Sequence, residues 1–440
     1  MKNNLKVAIY DTPRIVSKSL AAALRSSGCQ VIFDGPLNQN TAKTEADIWI
    51  TKWSFGLNRE FLSSSSPRLG LVTLSVGVEH IDRDTLLTKG VIVKNCPTYG
   101  SGSVAEHAVA LSMRAKYGAD VLPPLNEGSV AMIGLDPIDT EATVAQILLR
   151  SRQIETSVQR AAKYDYSRTD GAWHNKELND ITVGILDERF ANLAKVLRKG
   201  FGTAVLCQNH VTSIKEAGAR GIDLAKILDS DYIIIPEQSA TLSNNWGVSK
   251  VELPDSQKPY AEQKVAVLGG GRIGSRIAKI FRDGFGSEVS VYCRIQREEL
   301  SRKGIKVTNS ISEALEGASL VVIALPLNEG TRATLNRENI LRMSPLGGRI
   351  IVNVGRSEVV HEEQLITLID EGHVQAYATD VVPKEGAIWL RNEPSDLTRR
   401  FVENGNVIVT PHEGDCSSGS IQRMNREVRE MIKQIVDEVT

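Results

Sequence analysis

Short apolar runs alternate with helical patterns along the first hundred residues. The apolar runs are LKVAIYD, CQVIF, ADIWITK, LGLVTLS and VIVKNCP, and amphipathic segments such as SKSLAAALRSSG lie between them. This alternation predicts a parallel sheet with crossover helices. The pattern SVAEHAVALSMRAK then predicts a helix at about 103–116.

A second alternation of the same kind begins at about residue 263. KVAVLGGGRIGSRIAKIF predicts a strand, a glycine turn and a helix, and further strands are predicted in SEVSVYCR, ASLVVIALP, GRIIVNVG, AYATDVV and NVIVTP. An amphipathic helix is predicted for 420–439. The two alternations predict two α/β units, each with a parallel sheet.

The middle of the chain, 119–258, repeats part of this pattern. VIVKNCPTYGSGSVAEHAVAL and AMIGLDPIDTEATVAQILL each predict a strand, a proline turn and a helix, with Pro97 and Pro137 in equivalent places. The segments ITVGILDERFANLAKVLRKGFGTAVLCQNH, DLAKILD and DYIIIPE then predict a βαβαβ half-sheet without nucleotide-binding glycines. Asp187 and Glu188, followed by Arg189, stand at its strand-to-helix turn, where they would repel a pyrophosphate. We interpret 119–258 as a partial duplication; chance recurrence of small apolar motifs is the alternative.

Composition limits the classes of partner. The 440 residues predict two or three domains, and 52 basic against 53 acidic residues favour neither nucleic acid nor an anionic membrane. Five well-separated cysteines without a CxxC pair argue against a disulfide framework or a metal site and favour the cytoplasm. No apolar run is long enough to predict a membrane span.

The glycine turn carries the first candidate chemistry. Gly269, Gly271 and Gly274 form GxGxxG directly after an apolar strand and before a helix, the arrangement that binds a dinucleotide pyrophosphate at a helix N-terminus. A structural glycine-rich turn is the alternative, but the correct flanking elements favour nucleotide binding.

The end of the next strand bears on the choice of dinucleotide. An NAD-selective site places an acid there for the ribose 2′-OH, whereas this chain has Cys293, followed by Arg294 and Arg297. Without an acid, and with guanidinium groups nearby, a 2′-phosphate is tolerated or preferred. We therefore expect NADP, with NAD as the alternative; the two arginines could also be solvated surface charges.

Arg356, Glu385 and His412 follow the glycine turn in that order. Arginine can grip a carboxylate and a carbonyl together, and histidine can carry one proton near neutral pH. A carboxylate paired with the histidine favours its charged form. These three residues predict hydride chemistry on a 2-oxo acid. Each alone could instead be a surface ion-pair residue, a loop charge or a turn histidine.

Together these motifs resemble the D-isomer-specific 2-hydroxyacid dehydrogenase family. LVTLSVGVEHID, NCPTYGSGSVAEHAVAL, VAVLGGGRIG, ALPLNEGTR, NVGRSEVV, ATDVVPKEG and VTPHEG match the family's blocks in order, over about 1–118 and 259–440. The resemblance implies a Rossmann cofactor domain and a flavodoxin-like substrate domain, here with an inserted, degenerate Rossmann-like unit at 119–258. It assigns 1–102 and 413–440 to the substrate domain, and 103–118 and 259–412 to the dinucleotide-binding domain.

The resemblance also implies roles for individual residues. Arg356 matches the substrate-binding arginine, His412 the general acid/base and Glu385 its paired acid. The amides of Val76 and Gly77 would hold the substrate carboxylate, and Asp380 would lie near the nicotinamide amide. The remaining cofactor contacts would come from Arg272, Ile273, Pro326 and Val354. Gly386, where the family usually has proline, departs from the pattern and implies a looser loop.

Three questions stay open at this point. The family implies a homodimer, with the insert as a candidate for subunit contact or for shielding the cleft. Lys52 is either directed into the cleft, favouring an anionic substrate, or solvated at a strand end. A catalytically vestigial scaffold of the corepressor type is the main alternative to an enzyme. Glu385 argues against a formate dehydrogenase, and Ser75, where a lysine would be needed, against a phosphite dehydrogenase.

Overall fold

The structure is a computed structural model with three parallel sheets. It describes residues 5–12, 14–43, 45–52, 57–75, 77–78, 81–117, 131–135, 144, 147–148, 176–185, 190–208, 215, 219–222, 232–236, 259–295, 297–345, 348–383 and 395–439. All statements below concern these residues.

The first sheet has five strands in the order β2-β1-β3-β4-β5. The strands are β1 (Lys6–Tyr10), β2 (Gln30–Gly35), β3 (Ile48–Thr51), β4 (Gly70–Thr73) and β5 (Ile92–Asn95). Helices Arg14–Ser26, Arg59–Ser64 and Arg83–Thr88 cross between them. Asn58 and Asp82 begin the two shorter helices by accepting a backbone N–H with the side chain. The order is that of a flavodoxin-like sheet, as predicted.

The C-terminal helix (Ser418–Val439) packs on this first sheet. Its apolar positions recur every three or four residues and are buried, namely Ile421, Met424, Val428, Ile432, Ile435 and Val436. Gly70 in β4 allows the close approach, because a Cβ there would lie 2.7 Å from Ile435 Cδ1. The helix predicted at 420–439 is therefore confirmed.

The middle sheet also has five parallel strands, in the order β6-β10-β7-β8-β9. They are β6 (Ala131–Leu135), β7 (Thr182–Ile185), β8 (Ala204–Gln208), β9 (Arg220–Ile222) and β10 (Tyr232–Pro236). The inserted helix (Ala191–Val196) follows β7 and continues as a π-helical turn, Leu197–Phe201. The insert is thus a Rossmann-like unit, as predicted. The helix expected in DLAKILD and the turn Asp187–Arg189 lie outside the described residues.

The third sheet has seven strands in the order β13-β12-β11-β14-β15-β16-β17. They are β11 (Lys264–Leu268), β12 (Glu288–Tyr292), β13 (Lys306–Thr308), β14 (Leu320–Ile323), β15 (Ile350–Asn353), β16 (Ala376–Thr379) and β17 (Val407–Val409). The glycine-turn helix (Arg272–Lys279) follows β11 and runs into the π-helical turn Ile280–Phe285. The other helices are Glu298–Arg302, Ile311–Leu315, Arg337–Leu341, Glu362–Asp370 and Asp396–Glu403. All pairs are parallel, as in a Rossmann domain.

The central helix (Ser101–Tyr117) lies between the middle and third sheets. One hydrophobic core contains its residues Val109 and Leu111, the inserted helix and strands β7 and β11. This helix is buried along nearly its whole length, because residues of both sheets cover it. It was predicted at 103–116 and is confirmed. Among the described residues, no helix has the length and apolar character required to cross a membrane.

Candidate active site

Three predicted site residues follow three neighbouring strands of the third sheet. Arg356 comes after β15, Asp380 directly after β16 and His412 after β17. Because parallel strands place their carboxyl ends at one edge, these residues lie on the same edge of the sheet as the glycine turn after β11. The strand order reverses between β11 and β14, where α/β proteins bind ligands.

The glycine turn has the geometry that its spacing predicts. Gly269 has a φ of +115°, and a Cβ there would lie 2.6 Å from the carbonyl oxygen of Ala324. A Cβ on Gly274 would lie 1.8 Å from the carbonyl oxygen of Gly269. The first glycine therefore permits the turn, and the last permits the close packing of helix on strand.

Gly271 leaves the start of the glycine-turn helix open. It is the N-cap, and a Cβ at this position would meet nothing within 4 Å. Glycine has no side chain with which to cap the first amides, which belong to Arg272 and Ile273. A helix N-terminus with open space in front of it fits a pyrophosphate, since the free N–H groups and the helix dipole both favour negative charge.

The end of β12 presents the groups expected to lie near the ribose. Cys293 packs against Gly270, while Arg294 and Arg297 are exposed. A depression of about 350 Å³ is lined by Cys293, Arg294, Val307, Thr308, Asn309 and Glu313. Hydrogen bonds from Lys306 and Thr308 lower the pKa of Glu313. Glu313, the acid that lines this depression, is thus already hydrogen-bonded to its neighbours.

The turn that carries Arg356 is shaped by Asn353 at the end of β15. The Asn353 side chain accepts from the Gly355 N–H at 3.0 Å and donates to the carbonyl oxygen of Arg356 at 3.0 Å. A Cβ on Gly355 would lie 2.6 Å from the carbonyl oxygen of Leu325, so only glycine fits here. Val354 is buried in the same turn, and Pro326 is exposed at the end of β14.

Asp380 organises the turn that carries His412. Its carboxylate accepts from the N–H groups of Glu413 and Gly414 at 2.9 and 2.8 Å, and from Thr410 Oγ1 at 2.6 Å. His107 Nε2 of the central helix lies 3.3 Å from it. Burial alone would raise the pKa of Asp380, but His107, His412 and the hydrogen bonds bring it down to about 2.

His412 itself is half-buried and has a left-handed backbone, with a φ of +52°. Such a conformation costs of order 1–3 kcal/mol and persists only where its surroundings hold it. The hydrogen bonds of Asp380 to the two following amides provide that support. The position of the His412 side chain is therefore set by a backbone turn that Asp380 holds in place.

Lys52 is buried, which excludes one of the two interpretations that the sequence left open, a solvated lysine at a strand end. It is 2% exposed, and its Nζ lies 2.6 Å from Asp415 Oδ2 and 2.9 Å from the Tyr99 hydroxyl. Burial alone would raise the pKa of Asp415, but the Lys52 ammonium lowers it below its ordinary value. Burial, followed by the Asp415 charge, raises the pKa of Tyr99 well above its usual range. Lys52 thus joins the first sheet to the segment just after His412, and a substrate contact stays a prediction.

Two predicted site residues, Glu385 and Val76, lie outside the described residues. Gly77 is half-buried in the loop after β4. Sequence reasoning missed three neighbours of the site, namely His107 and Thr410, which are buried, and Asp415, which is half-buried. Thr410 and Asp415 flank His412 in TPHEGD, and this short polar cluster after a strand was the available signal. No sequence signal indicated a role for His107, because its partner Asp380 is remote in sequence.

The fold and the glycine turn define a dinucleotide-binding α/β protein. Residues 234–414 match the family model described as "D-isomer specific 2-hydroxyacid dehydrogenase, NAD binding domain". Residues 234–414 are therefore similar to the NAD-binding domain of the D-isomer specific 2-hydroxyacid dehydrogenase family, and the resemblance predicted from the motifs of the chain is confirmed. The match begins in β10, ahead of the boundary expected at 259; the domain boundaries themselves stay predictions.

Curated relatives match mainly over part of their length. A D-lactate dehydrogenase of Staphylococcus aureus is 27% identical over 172 residues, covering 38% of this chain and 51% of that protein. A 2-hydroxyacid dehydrogenase A of Aspergillus oryzae is 32% identical over 154 residues, or 34% and 43% of the two chains. This chain thus spans about half the length of these relatives.

Solved structures share the fold over nearly the whole chain. A D-lactate dehydrogenase from Aquifex aeolicus, complexed with NAD and lactic acid, has a TM-score of 0.55 at 20% identity and covers 98% of this chain and 96% of its own. The pyruvate reductase of Chlamydomonas reinhardtii has a TM-score of 0.59 at 17% identity, with coverages of 99% and 97%. At these identities the likeness establishes the α/β fold.

Proposed function

We propose that this protein is an NAD(P)-dependent D-2-hydroxyacid dehydrogenase that reduces a 2-oxo acid. The observation that carries the proposal is the shared edge of Arg356, Asp380 and His412 beside an open glycine turn. The activities of the relatives, which are D-lactate and 2-hydroxyacid dehydrogenases, support the same reaction class.

The bound dinucleotide would supply the hydride that reduces the 2-oxo carbon. The amides of Arg272 and Ile273 would hold its pyrophosphate, with Gly271 leaving the necessary space. Arg356 would bind the substrate carboxylate through its planar pair of donors, and the loop of Gly77 would complete that contact. These groups position the reacting carbon without taking part in the transfer.

His412 would donate the proton to the substrate oxygen as negative charge develops there. An imidazolium at this position is attracted by the buried Asp380 carboxylate and by the half-buried Asp415 carboxylate. The His412 charge accordingly lowers the pKa of both acids. Glu385 is the sequence-based candidate for direct pairing with the imidazole. Lys52, buried behind Asp415, is a candidate for contact with an anionic substrate side chain.

The test is a panel of 2-oxo acids assayed with NADH and NADPH. Turnover should fall about 10²–10⁴-fold in His412→Ala, while cofactor affinity stays near that of the wild type, because the imidazole acts only in the proton transfer. Arg356→Lys should chiefly raise KM by weakening the bidentate carboxylate contact. His373→Ala is the matched control, since that histidine is exposed.

Unchanged turnover in His412→Ala would refute the assignment of the proton donor. A wild-type protein that binds the dinucleotide tightly, yet oxidises neither NADH nor NADPH with any 2-oxo acid, would favour the nucleotide-binding scaffold.

For the cofactor we propose a preference for NADP. Cys293 stands where an acid would repel a 2′-phosphate, Arg294 and Arg297 are exposed beside it, and Glu313 is engaged by Lys306 and Thr308. Cys293→Asp should lower the ratio of kcat/KM for NADPH over NADH by about tenfold, roughly 1.4 kcal/mol of discrimination. The control is Cys207→Ser, a buried cysteine in β8 of the middle sheet. A wild-type preference for NADH would contradict the assignment.

A further inference from the structure

The π-helical turns of the middle and third sheets have nearly the same sequence. RKGFGTAV at 198–205 corresponds to RDGFGSEV at 282–289, with arginine, glycine, phenylalanine, glycine and valine in equivalent places. Both turns end on a left-handed glycine, Gly202 with φ 76° and ψ 17° and Gly286 with φ 76° and ψ 16°. Their closing hydrogen bonds also correspond, at 3.1 Å from each glycine N–H to an arginine carbonyl.

The sheets around these turns have the same order. The middle sheet has β9-β8-β7-β10 and the third sheet has β13-β12-β11-β14. Each contains the same unit, a strand, a helix ending in a π-turn, and a second strand. The insert is therefore a second copy of the unit that carries the glycine turn.

The two copies contact each other through equivalent residues. A Cβ on Gly200 would lie 3.0 Å from Gly284 Cα, and a Cβ on Gly284 would lie 3.1 Å from Gly200 Cα. Phe201 and Phe285 form an edge-to-face pair with ring centroids 6.1 Å apart. Residue i of one copy thus contacts its equivalent in the other, which is the pattern of an isologous two-fold interface.

This contact is part of the protein interior. Leu193 and Leu197 of the inserted copy share one core with Ile277 and Phe281 of the glycine-turn copy, and all four are fully buried. Obligate dimer interfaces resemble such a core cut in half.

The inserted copy differs from the other where a nucleotide would bind. Phe190, 1% exposed, stands at the position equivalent to Gly274, where a Cβ would already lie 1.8 Å from a backbone oxygen. The inserted copy therefore lacks the glycine that allows the close packing of helix on strand at this position. The inserted copy thus has the helix packing of the other copy but not its nucleotide-binding glycines.

We infer that the insert takes the place of a second subunit. Its helix and π-turn, 191–201, occupy the face on which a second copy of this chain would form a symmetric dimer. The protein is therefore a monomer in solution. The homodimer implied by the family resemblance is replaced by a contact within one chain. This inference does not rest on the proposed function.

Sedimentation equilibrium of the full chain over a wide concentration range tests the inference. The expected result is one species near 48.1 kDa, with and without NAD(H) or NADP(H). A species of twice that mass would overturn it.

The interface is tested separately with small substitutions that preserve folding. Gly200→Ala and Gly284→Ala should lower the urea midpoint of unfolding by the same amount, roughly 0.5 M, because each Cβ meets the equivalent backbone. The double variant should shift the midpoint by less than the sum, since one displacement relieves both contacts. Gly405→Ala is the control, because a Cβ there meets nothing within 4 Å. Unequal single shifts, or strict additivity, would refute the two-fold contact.

Discussion

At the scale of single residues, Asp380 shows how one buried carboxylate fixes a site. The family resemblance places it near the nicotinamide amide, and the structure gives it contacts with Thr410, Glu413 and Gly414 around His412. These hydrogen bonds stabilise the ionised carboxylate and hold His412 in its left-handed backbone conformation. The same residue therefore links the turn that carries His412 to the central helix.

Asp380→Asn should lower the free energy of unfolding at neutral pH by about 2 kcal/mol. The pKa of Asp380 is lowered to about 2 from an ordinary value of 3.8, so its contribution is complete above pH 3.8 and is lost as the pH falls towards 2. Urea unfolding at several pH values should show the difference between variant and wild type shrinking below pH 3.8. Asp396→Asn, whose side chain is 98% exposed, is the control. A constant difference down to pH 2 would contradict this account.

At the scale of elements, the insert reaches the segments that join the first and third sheets. Glu177, 1% exposed, accepts a hydrogen bond from Ser417 Oγ at 2.8 Å and pairs with Arg423 of the C-terminal helix. A Cβ on Gly102 would lie 2.6 Å from its carboxylate. One acidic side chain thus lies against both segments that join the first and third sheets.

Glu177→Gln should lower the free energy of unfolding by about 2 kcal/mol, because it removes a charge-assisted hydrogen bond between the buried Glu177 and the half-buried Arg423. A double-mutant cycle with Arg423→Gln measures the coupling between the two side chains. The pair Lys94–Glu438 also joins the first sheet to the C-terminal helix, but it is more exposed and should couple by less than about 1 kcal/mol. Equal coupling in the two pairs would contradict the expected effect of burial on the Glu177–Arg423 pair.

At the scale of the whole molecule, the chain contains two versions of one half-sheet and a single glycine turn among its described residues. Strand and helix patterns predicted all three units, since the apolar periods are strong and the connections short. The contact between the copies was not predictable, because the glycines that permit it, Gly200 and Gly284, are ordinary residues in a helical pattern. Only their position in space shows that each faces the other.

The sequence by itself determined the elements, the sheet types and the family motifs, because these depend on local periodicity and on residue types at fixed spacing. Only the tertiary structure decided the partners of Lys52, Asp380 and Glu177, because each meets residues remote in the chain. A buried charge is costly unless it is paired, and burial is a property of the folded chain. The relation of the insert to the glycine-turn unit was decided in the same way, by packing between surfaces that the sequence alone does not bring together.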